Sequence, residues 1–327
     1  MIISKTPLRI SFFGGGTDYP IWYNEKGGTV ISSTIDKYNY ITVRHLSNFF
    51  DYNYRVRYFR TEVTQSINDI KHPVVRECAL FLGIDKHFEL VHTSDIPARS
   101  GLGSSSSFSV GVLHAFNYFK NVFPTKQELA ANAIHIEQNI IKESVGSQDQ
   151  VAAAFGGFNK ISFSGGNNFQ VEPLNLKNEI RSELQNNLLL CFTGFARTAS
   201  EIAVNQIRDT PKRIKELNDM ESLTKEALAL LNGGSLNEFG KLLSIQWKIK
   251  KSLNSKISNP EIDQIYESGL KNGALGGKLL GAGGGGFIVF YAPRHSHNRI
   301  KKALNDKLFI PFNFEDRGTQ IIYNEER

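Results

Sequence analysis

Pro97-Ala98-Arg99-Ser100-Gly101-Leu102-Gly103-Ser104-Ser105-Ser106-Ser107 is the stretch on which the reading of this chain turns. Two glycines flank a leucine, four serines follow, and apolar residues at helical spacing begin with Phe108, Val112, Phe116 and Phe119. Upstream, Val91 to Ile96 reads as the end of a strand. Gly/Ser-rich segments often serve only as linkers, but a strand, a glycine turn and a helix start make an ordered context. At such a helix start, free N–H groups and the helix dipole both favour an anion, and glycine lets the backbone approach it closely. The stretch therefore points to nucleotide chemistry. It is not the common P-loop, because no lysine follows the glycines at GxxxxGK[ST] spacing.

Two more glycine clusters lie outward from it, at 14–16 and 281–286. Gly281, Gly283 and Gly286 match GxGxxG, a dinucleotide fingerprint that needs a strand before it and a helix after it. Here a helix precedes and the strand Phe287 to Tyr291 follows, which sets the dinucleotide reading aside.

The remaining pattern predicts strands at Leu8 to Phe13, Thr29 to Ile35, Tyr40 to His45, Tyr52 to Phe59, Phe88 to Ile96 and Leu188 to Phe192. Helices are expected over 73–81, 104–119, 126–142, 200–209, 211–231, 236–253 and 260–271. Thr125 can cap the 126–142 helix, whose apolar stripe is Leu129, Ala133, Ile136 and Ile140. Gly156-Gly157 opens a strand to Phe163, and Ser164 to Asn168 should close a hairpin. Without a regular βαβ rhythm the class is α+β with largely antiparallel sheets. The polar stretch Asn175 to Asn186 suggests a boundary between parts 1–180 and 181–327.

A chain of 327 residues is long enough for two cores, and 40% hydrophobic against 21% charged residues excludes a disordered chain. The formal charge of +6 is spread over short groups such as Lys212/Arg213/Lys215 and Lys248/Lys250/Lys251, which suits anionic ligands better than a nucleic-acid footprint. Cys78 and Cys191 lack metal-ligand spacing and read as buried thiols. No signal-peptide pattern or membrane-length apolar run is seen, so a cytoplasmic protein is expected, with no membrane partner.

Phosphoryl transfer to a hydroxyl needs a metal on the phosphates, a group for the hydroxyl proton and positive charge for the migrating phosphoryl. Asp149 sits in the turn Gly146-Ser147-Gln148-Asp149-Gln150, and Glu137 lies beside the apolar stripe of its helix. A half-buried acid there needs a partner. Taken singly, each acid is more often a cap or a surface residue.

Three motifs in order resemble the GHMP family of small-molecule kinases. They are Pro7 to Tyr19 (PLRISFFGGGTDY), Pro97 to Ser107, and Lys278 to Gly286 (KLLGAGGGG), and together they span nearly the whole chain. The resemblance implies a ribosomal-S5-like N-terminal domain and a ferredoxin-like C-terminal domain, with ATP and substrate between them. It implies that Gly101, Leu102, Gly103, Ser104, Ser105 and Ser106 surround the ATP phosphates and that Ser105 and Glu137 hold Mg²⁺. Asp149 matches the catalytic base, Arg9 the cation beside it, and Asp18 the acid that binds sugar hydroxyls. Thr17, Gly283, Gly284 and Gly285 are expected to complete the substrate side.

Galactokinase carries Glu-His where this chain has Gly15-Gly16, and losing a carboxylate there suits a larger or anionic sugar. That version resembles the branch acting on D-glycero-D-manno-heptose 7-phosphate, which implies phosphorylation of the anomeric hydroxyl. A second anion site would then be needed, and Arg197, in the loop after Phe192, is its candidate, the alternative being that Arg197 pairs with a nearby carboxylate. Rival expectations are a 1-kinase for a fucose- or galactose-like sugar, a silent sugar or ATP sensor, and a nucleic-acid module. The partners expected are a sugar phosphate and ATP, with a monomer or homodimer and no nucleic acid.

Overall fold

In the computed structural model, which describes residues 1–166, 168–194 and 199–325, the chain opens on strand β1 (Ile2–Phe13). A turn leads into helix α1 (Pro20–Lys26), started by its proline, and then into β2 (Gly28–His45). The two strands expected at 29–35 and 40–45 are the ends of this one strand. The β1–β2 register passes from Pro7↔Tyr38 to Leu8↔Ile35, so the polar Asp36 and Lys37, which look like a break, form an irregularity inside a continuous strand.

Strands β3 (Tyr54–Arg57) and β4 (Thr61–Thr64) form a hairpin. Helix α2 (Pro73–Phe81) and strand β5 (Phe88–Ser94) follow, and β5 pairs parallel with β3. Next come α3 (Ser104–Phe119), α4 (Lys126–His135) and α5 (Gln148–Phe155). Thr125 and Glu128 form a reciprocal capping box on α4. The helix expected to run on to residue 142 instead passes into a π turn at Ile136–Ile140. Strands β6 (Phe158–Ser164) and β7 (Asn168–Pro173) make the expected hairpin.

Helix α6 (Asn178–Asn186) occupies the stretch expected as a boundary; Leu184 is its one buried side chain, so its apolar signal is weak. The rest of the chain runs through β8 (Leu188–Gly194), α7 (Ala199–Asp209), α8 (Ile214–Gly233), α9 (Leu236–Leu253) and α10 (Pro260–Lys271). It ends with β9 (Gly276–Leu279), β10 (Gly286–Tyr291), α11 (His297–Ala303), β11 (Phe309–Ile310), β12 (Phe314–Glu315) and β13 (Gln320–Asn324).

Among the described residues these strands form two sheets. The larger runs β13-β1-β2-β5-β3-β4, with β12 and β6 also paired to β2 and β7 to β6; the smaller runs β11-β8-β10-β9. Since β12 and β13 return to the first sheet, the expected division into 1–180 and 181–327 is not a single cut.

Three apolar clusters hold the layers. Helices α2 to α5 pack Val75, Leu113, Phe116, Ala133 and Val151 with Ile41 and Leu90 of the larger sheet. Phe12, Phe13, Phe239, Leu242 and Phe287 join the two sheets, where Phe12 stacks on Phe158 with ring centroids 5.4 Å apart. Met220, Trp247, Ile265 and Ile288 bind α8, α9 and α10 to the smaller sheet.

Along β1, Ser4 faces α3, where its hydroxyl donates to the Gly111 carbonyl at 2.8 Å. Past the register shift Leu8, Ile10 and Phe12 enter the second cluster and Arg9 turns toward α5. The end of β1, the N-termini of α3 and α5, and the glycine loop between β9 and β10 thereby meet in one place.

Candidate active site

Among the described residues no side chain caps α3, so the N–H groups of its first turn point out of the helix without intrahelical acceptors. Gly103, at its N-cap, has φ 74°. Gly101 (φ +81°) lies so near the second glycine loop that a Cβ would come within 2.6 Å of the Leu280 carbonyl oxygen. A Cβ on Gly281 would meet Gly101 Cα at 2.6 Å, and Phe287 N donates to the Ser100 carbonyl at 3.1 Å. Glycine is required on both sides of this contact because two backbones touch with no room for a methyl.

Within the loop expected to hold phosphates (the phosphate loop, 100–106), the expected residues separate. Leu102 is buried in the core between the sheets, while its carbonyl accepts from Arg9 N at 3.0 Å. The Ser104 carbonyl accepts from Asn39 Nδ2 at 2.9 Å. Ser105 is exposed, and Ser106 Oγ, not Ser105, donates to Glu137 Oε2 at 2.9 Å. The serine hydroxyl in contact with Glu137 is thus one position beyond Ser105, the serine that the resemblance implies as a metal ligand. Three residues into α3, Ser106 faces inward, whereas Ser105 faces outward.

Arg9 is 4% exposed and grips Asp149 with both arms: Nε donates to Oδ1 and Nη2 to Oδ2, each at 2.7 Å. Its Nη1 donates to the Gly101 carbonyl at 2.7 Å, so one guanidinium ties the carboxylate to the phosphate loop. Asp149 stands in the first turn of α5, where the helix dipole favours its negative charge.

Asp18 lies beside them. Its Oδ1 accepts Gly16 N at 2.9 Å, and its Oδ2 accepts Gln148 N at 3.4 Å. Burial pushes its carboxyl up, and the charge of Asp149 adds to that, against the hydrogen bonds that favour the anion. Gly146 leaves the space Asp18 occupies, since a Cβ there would overlap Oδ2.

At Gly15, where the sequence implied added room, the nearest atoms to a Cβ would be Gln148 Nε2 at 3.6 Å and Ser11 Oγ at 3.7 Å. Ser11 Oγ and Gln148 Oε1 are buried without hydrogen-bond partners among the described residues, so polar atoms there are free for a ligand. At Gly16 the room is taken by Leu217, Met220 and Leu253, between 3.6 and 4.0 Å from a Cβ. Thr17 Oγ1 donates to the Gly14 carbonyl at 2.9 Å. Gly283 and Gly284 pack on Ile257, whose carbonyl accepts Gly284 N at 2.9 Å, so Gly281 and Gly286 are the glycines that meet the phosphate loop. Gly285 has φ 150°. Arg197 lies outside the described residues.

Glu137 is fully buried on the π turn and also accepts from Gln150 Nε2. Its other oxygen, Oε1, has no hydrogen-bond partner among the described residues; nearby Ser109 donates instead to the Ser105 carbonyl at 3.3 Å. Burial pushes this carboxyl up to about 7, the neighbouring Glu143 adding and the Ser109 and Ser106 hydroxyls opposing. A buried carboxylate with an orphaned oxygen, a hydroxyl beside it and a helix N-terminus above fits a divalent cation shared with phosphates. Among the described residues no three His, Cys, Asp or Glu side chains group to hold a metal by themselves.

Sequence reasoning missed two buried lysines. Lys250 Nζ donates to the Gly281 carbonyl, and burial with the charge of Arg9 pushes its ammonium down to about 8 against the pull of Asp18 and Asp149. Lys278 Nζ donates to the Phe12 carbonyl at 2.9 Å. A signal for Lys250 existed. It follows Phe239, Leu243 and Trp247 on the apolar stripe of α9, where a charge needs a reason.

Comparison with known proteins follows the same geography. Residues 70–157 match the GHMP kinases N terminal domain and residues 224–309 the GHMP kinases C terminal domain. The chain is 33% identical to the D-glycero-alpha-D-manno-heptose 7-phosphate kinase of Campylobacter jejuni, with 98% of each covered. Among solved structures, a D-glycero-D-manno-heptose 1-phosphate kinase from Bacteroides thetaiotaomicron superposes with TM-score 0.80 at 26% identity, covering 100% of both chains. Lactococcus lactis galactokinase, solved with galactose, shares the fold with TM-score 0.78 at 20% identity, covering 98% of this chain and 94% of its own.

Proposed function

The chain belongs to the GHMP kinases, ATP-using phosphotransferases with an alcohol group as acceptor, and from that premise we propose that it phosphorylates the anomeric hydroxyl of D-glycero-D-manno-heptose 7-phosphate. The observation that carries the reading is the two-armed Arg9–Asp149 pair, fastened to the Gly101 carbonyl and flanked by Asp18. It sets a carboxylate, a fixed cation and a phosphate loop around one point. The two heptose-phosphate kinases among the relatives support the sugar.

In this reading the sugar lies over Gly15, where Ser11 Oγ, Gln148 Oε1 and the remaining lone pairs of Asp18 meet its hydroxyls. Asp149 accepts the anomeric proton as the sugar oxygen bonds to the γ-phosphorus of ATP. The bond from that phosphorus to the bridging oxygen breaks, and its electron pair leaves on the β-phosphate of ADP. Arg9 keeps Asp149 in place and sets positive charge beside the phosphoryl group in flight. N–H groups of the first turn of α3 bind the phosphates. Glu137 and Ser106 would hold Mg²⁺, which when bound neutralises phosphate charge.

The test is to incubate the protein with ATP and a panel of sugars and sugar phosphates, with phosphorus NMR of each product. A new anomeric phosphate on the heptose 7-phosphate, at the highest kcat/KM of the panel, is expected. Preference for fucose or galactose, or phosphorylation at another position, overturns the substrate assignment.

A further inference from the structure

Arg9 and Lys250 hold the two glycine loops in mirrored fashion. Arg9 Nη1 donates to the carbonyl of Gly101 at 2.7 Å, and Lys250 Nζ donates to the carbonyl of Gly281. Those two glycines are themselves in backbone contact, since a Cβ on Gly281 would meet Gly101 Cα at 2.6 Å. Two cations from opposite halves of the chain, one on β1 and one on α9, therefore bracket the seam next to the phosphate loop.

Their charges are balanced differently. Both oxygens of Asp149 are taken by Arg9, and Asp18 is turned to the backbone N–H groups of Gly16 and Gln148. Lys278 is held by the Phe12 carbonyl. Lys250 is 5% exposed, and among the described residues no carboxylate makes an ion pair with it. One of its three N–H donors is used, by a neutral carbonyl. A buried ammonium without a counter-ion is costly to keep, and the partner that would relieve it is an anion. One turn further along α9, Leu253 faces Gly16, so the same helix face reaches from the phosphate loop to the acceptor loop.

We propose that Lys250 is a catalytic residue that binds the terminal phosphoryl group of ATP from the side opposite Arg9, with the Gly281 carbonyl holding its ammonium until the nucleotide arrives. This rests on ATP as the phosphoryl donor and is independent of which alcohol accepts.

Calorimetric titration with AMP-PNP and with ADP, each with Mg²⁺, tests it without any sugar. Lys250→Met should weaken AMP-PNP by about tenfold or more, the scale of one charge-assisted hydrogen bond, and leave ADP within about twofold. Lys250→Arg should recover part of the difference. Equal affinities to the unsubstituted protein overturn the proposal, and so does an equal loss for both nucleotides, which marks a structural role. If Lys250→Met lacks a cooperative thermal transition, Lys250→Gln, which keeps a donor for the Gly281 carbonyl, carries the same comparison. A failed sugar panel with an intact AMP-PNP/ADP difference would remove the substrate assignment and leave Lys250 in place.

Discussion

Arg9 and Asp149, 140 residues apart, form a two-armed ion pair with both N–O distances at 2.7 Å, in which Arg9 is almost wholly enclosed and Asp149 keeps one side open. The pair places a carboxylate where a hydroxyl can reach it and stops the side chain from rotating away. Asp149→Asn keeps the shape and removes the proton acceptor. Its kcat should fall by about 10² to 10⁴-fold, with the KM for ATP little changed, measured by coupled ADP release. Near-normal turnover in a folded variant would remove Asp149 from the mechanism.

Lys250 makes kcat/KM for ATP and stability run in opposite directions with pH. Its value of about 8 lies below the ordinary 10.5, because burial and Arg9 oppose the charge more than Asp18 and Asp149 favour it, and Lys278 stands on the same side as Arg9. Its stability contribution is fully present above 10.5 and is lost as pH falls through about 8. The ammonium needed for the phosphoryl group disappears over the same range as pH rises. The kcat/KM for ATP, which reports the free protein, should therefore decline above about pH 8, and Lys250→Arg should move that decline upward. A pH–rate profile identical for both proteins contradicts this.

Gly146→Ala tests the acceptor side. The new methyl would overlap Asp18 Oδ2 and must push the carboxylate away from Gly15. The KM for the sugar should rise by about tenfold or more while ATP affinity stays within a few-fold, since a small displacement of a positioning group is felt at the substrate. Loss of ATP affinity to the same degree would show instead that the whole site had shifted.

Glu137→Gln separates metal binding from folding. Removing a buried charge with an orphaned oxygen should leave the melting temperature in EDTA unchanged or raised. The gain in ATP affinity on adding Mg²⁺ should be lost. A variant that retains that gain would place the ion elsewhere.

Phe12 is fully buried where the sheets meet, in contact with the rings of Phe158, Phe239 and Phe314. Phe12→Ala should cost about 3–5 kcal/mol in urea unfolding, the usual range for a large core aromatic. A loss under about 1 kcal/mol would mean that the junction between the two sheets contributes little to stability.

Much of the secondary structure was legible because it rests on local signals. Ser104–Phe119, Leu236–Leu253 and Pro260–Lys271 stand at their expected limits, each with a glycine, proline or polar start and an apolar face. Helix α6, with Leu184 as its one buried side chain, was invisible to periodicity, and the π turn under Glu137 has no sequence signature to read. Strands β12 and β13 are short, and their place in the first sheet depends on partners far away in the chain.

By itself the sequence determined the order of the three glycine motifs, the α+β class and the carboxylates available for chemistry, because turns, caps and periodicity act over a few residues. Only the tertiary structure decided that Ser106 rather than Ser105 meets Glu137, since one residue is about 100° of helix rotation. It also decided that Arg9 grips Asp149, that Gly16 is filled by α8 and α9, and that Lys250 reaches the Gly281 carbonyl. Those relations join segments up to 266 residues apart, as where Lys278 reaches the Phe12 carbonyl, and they exist only once the two sheets have packed.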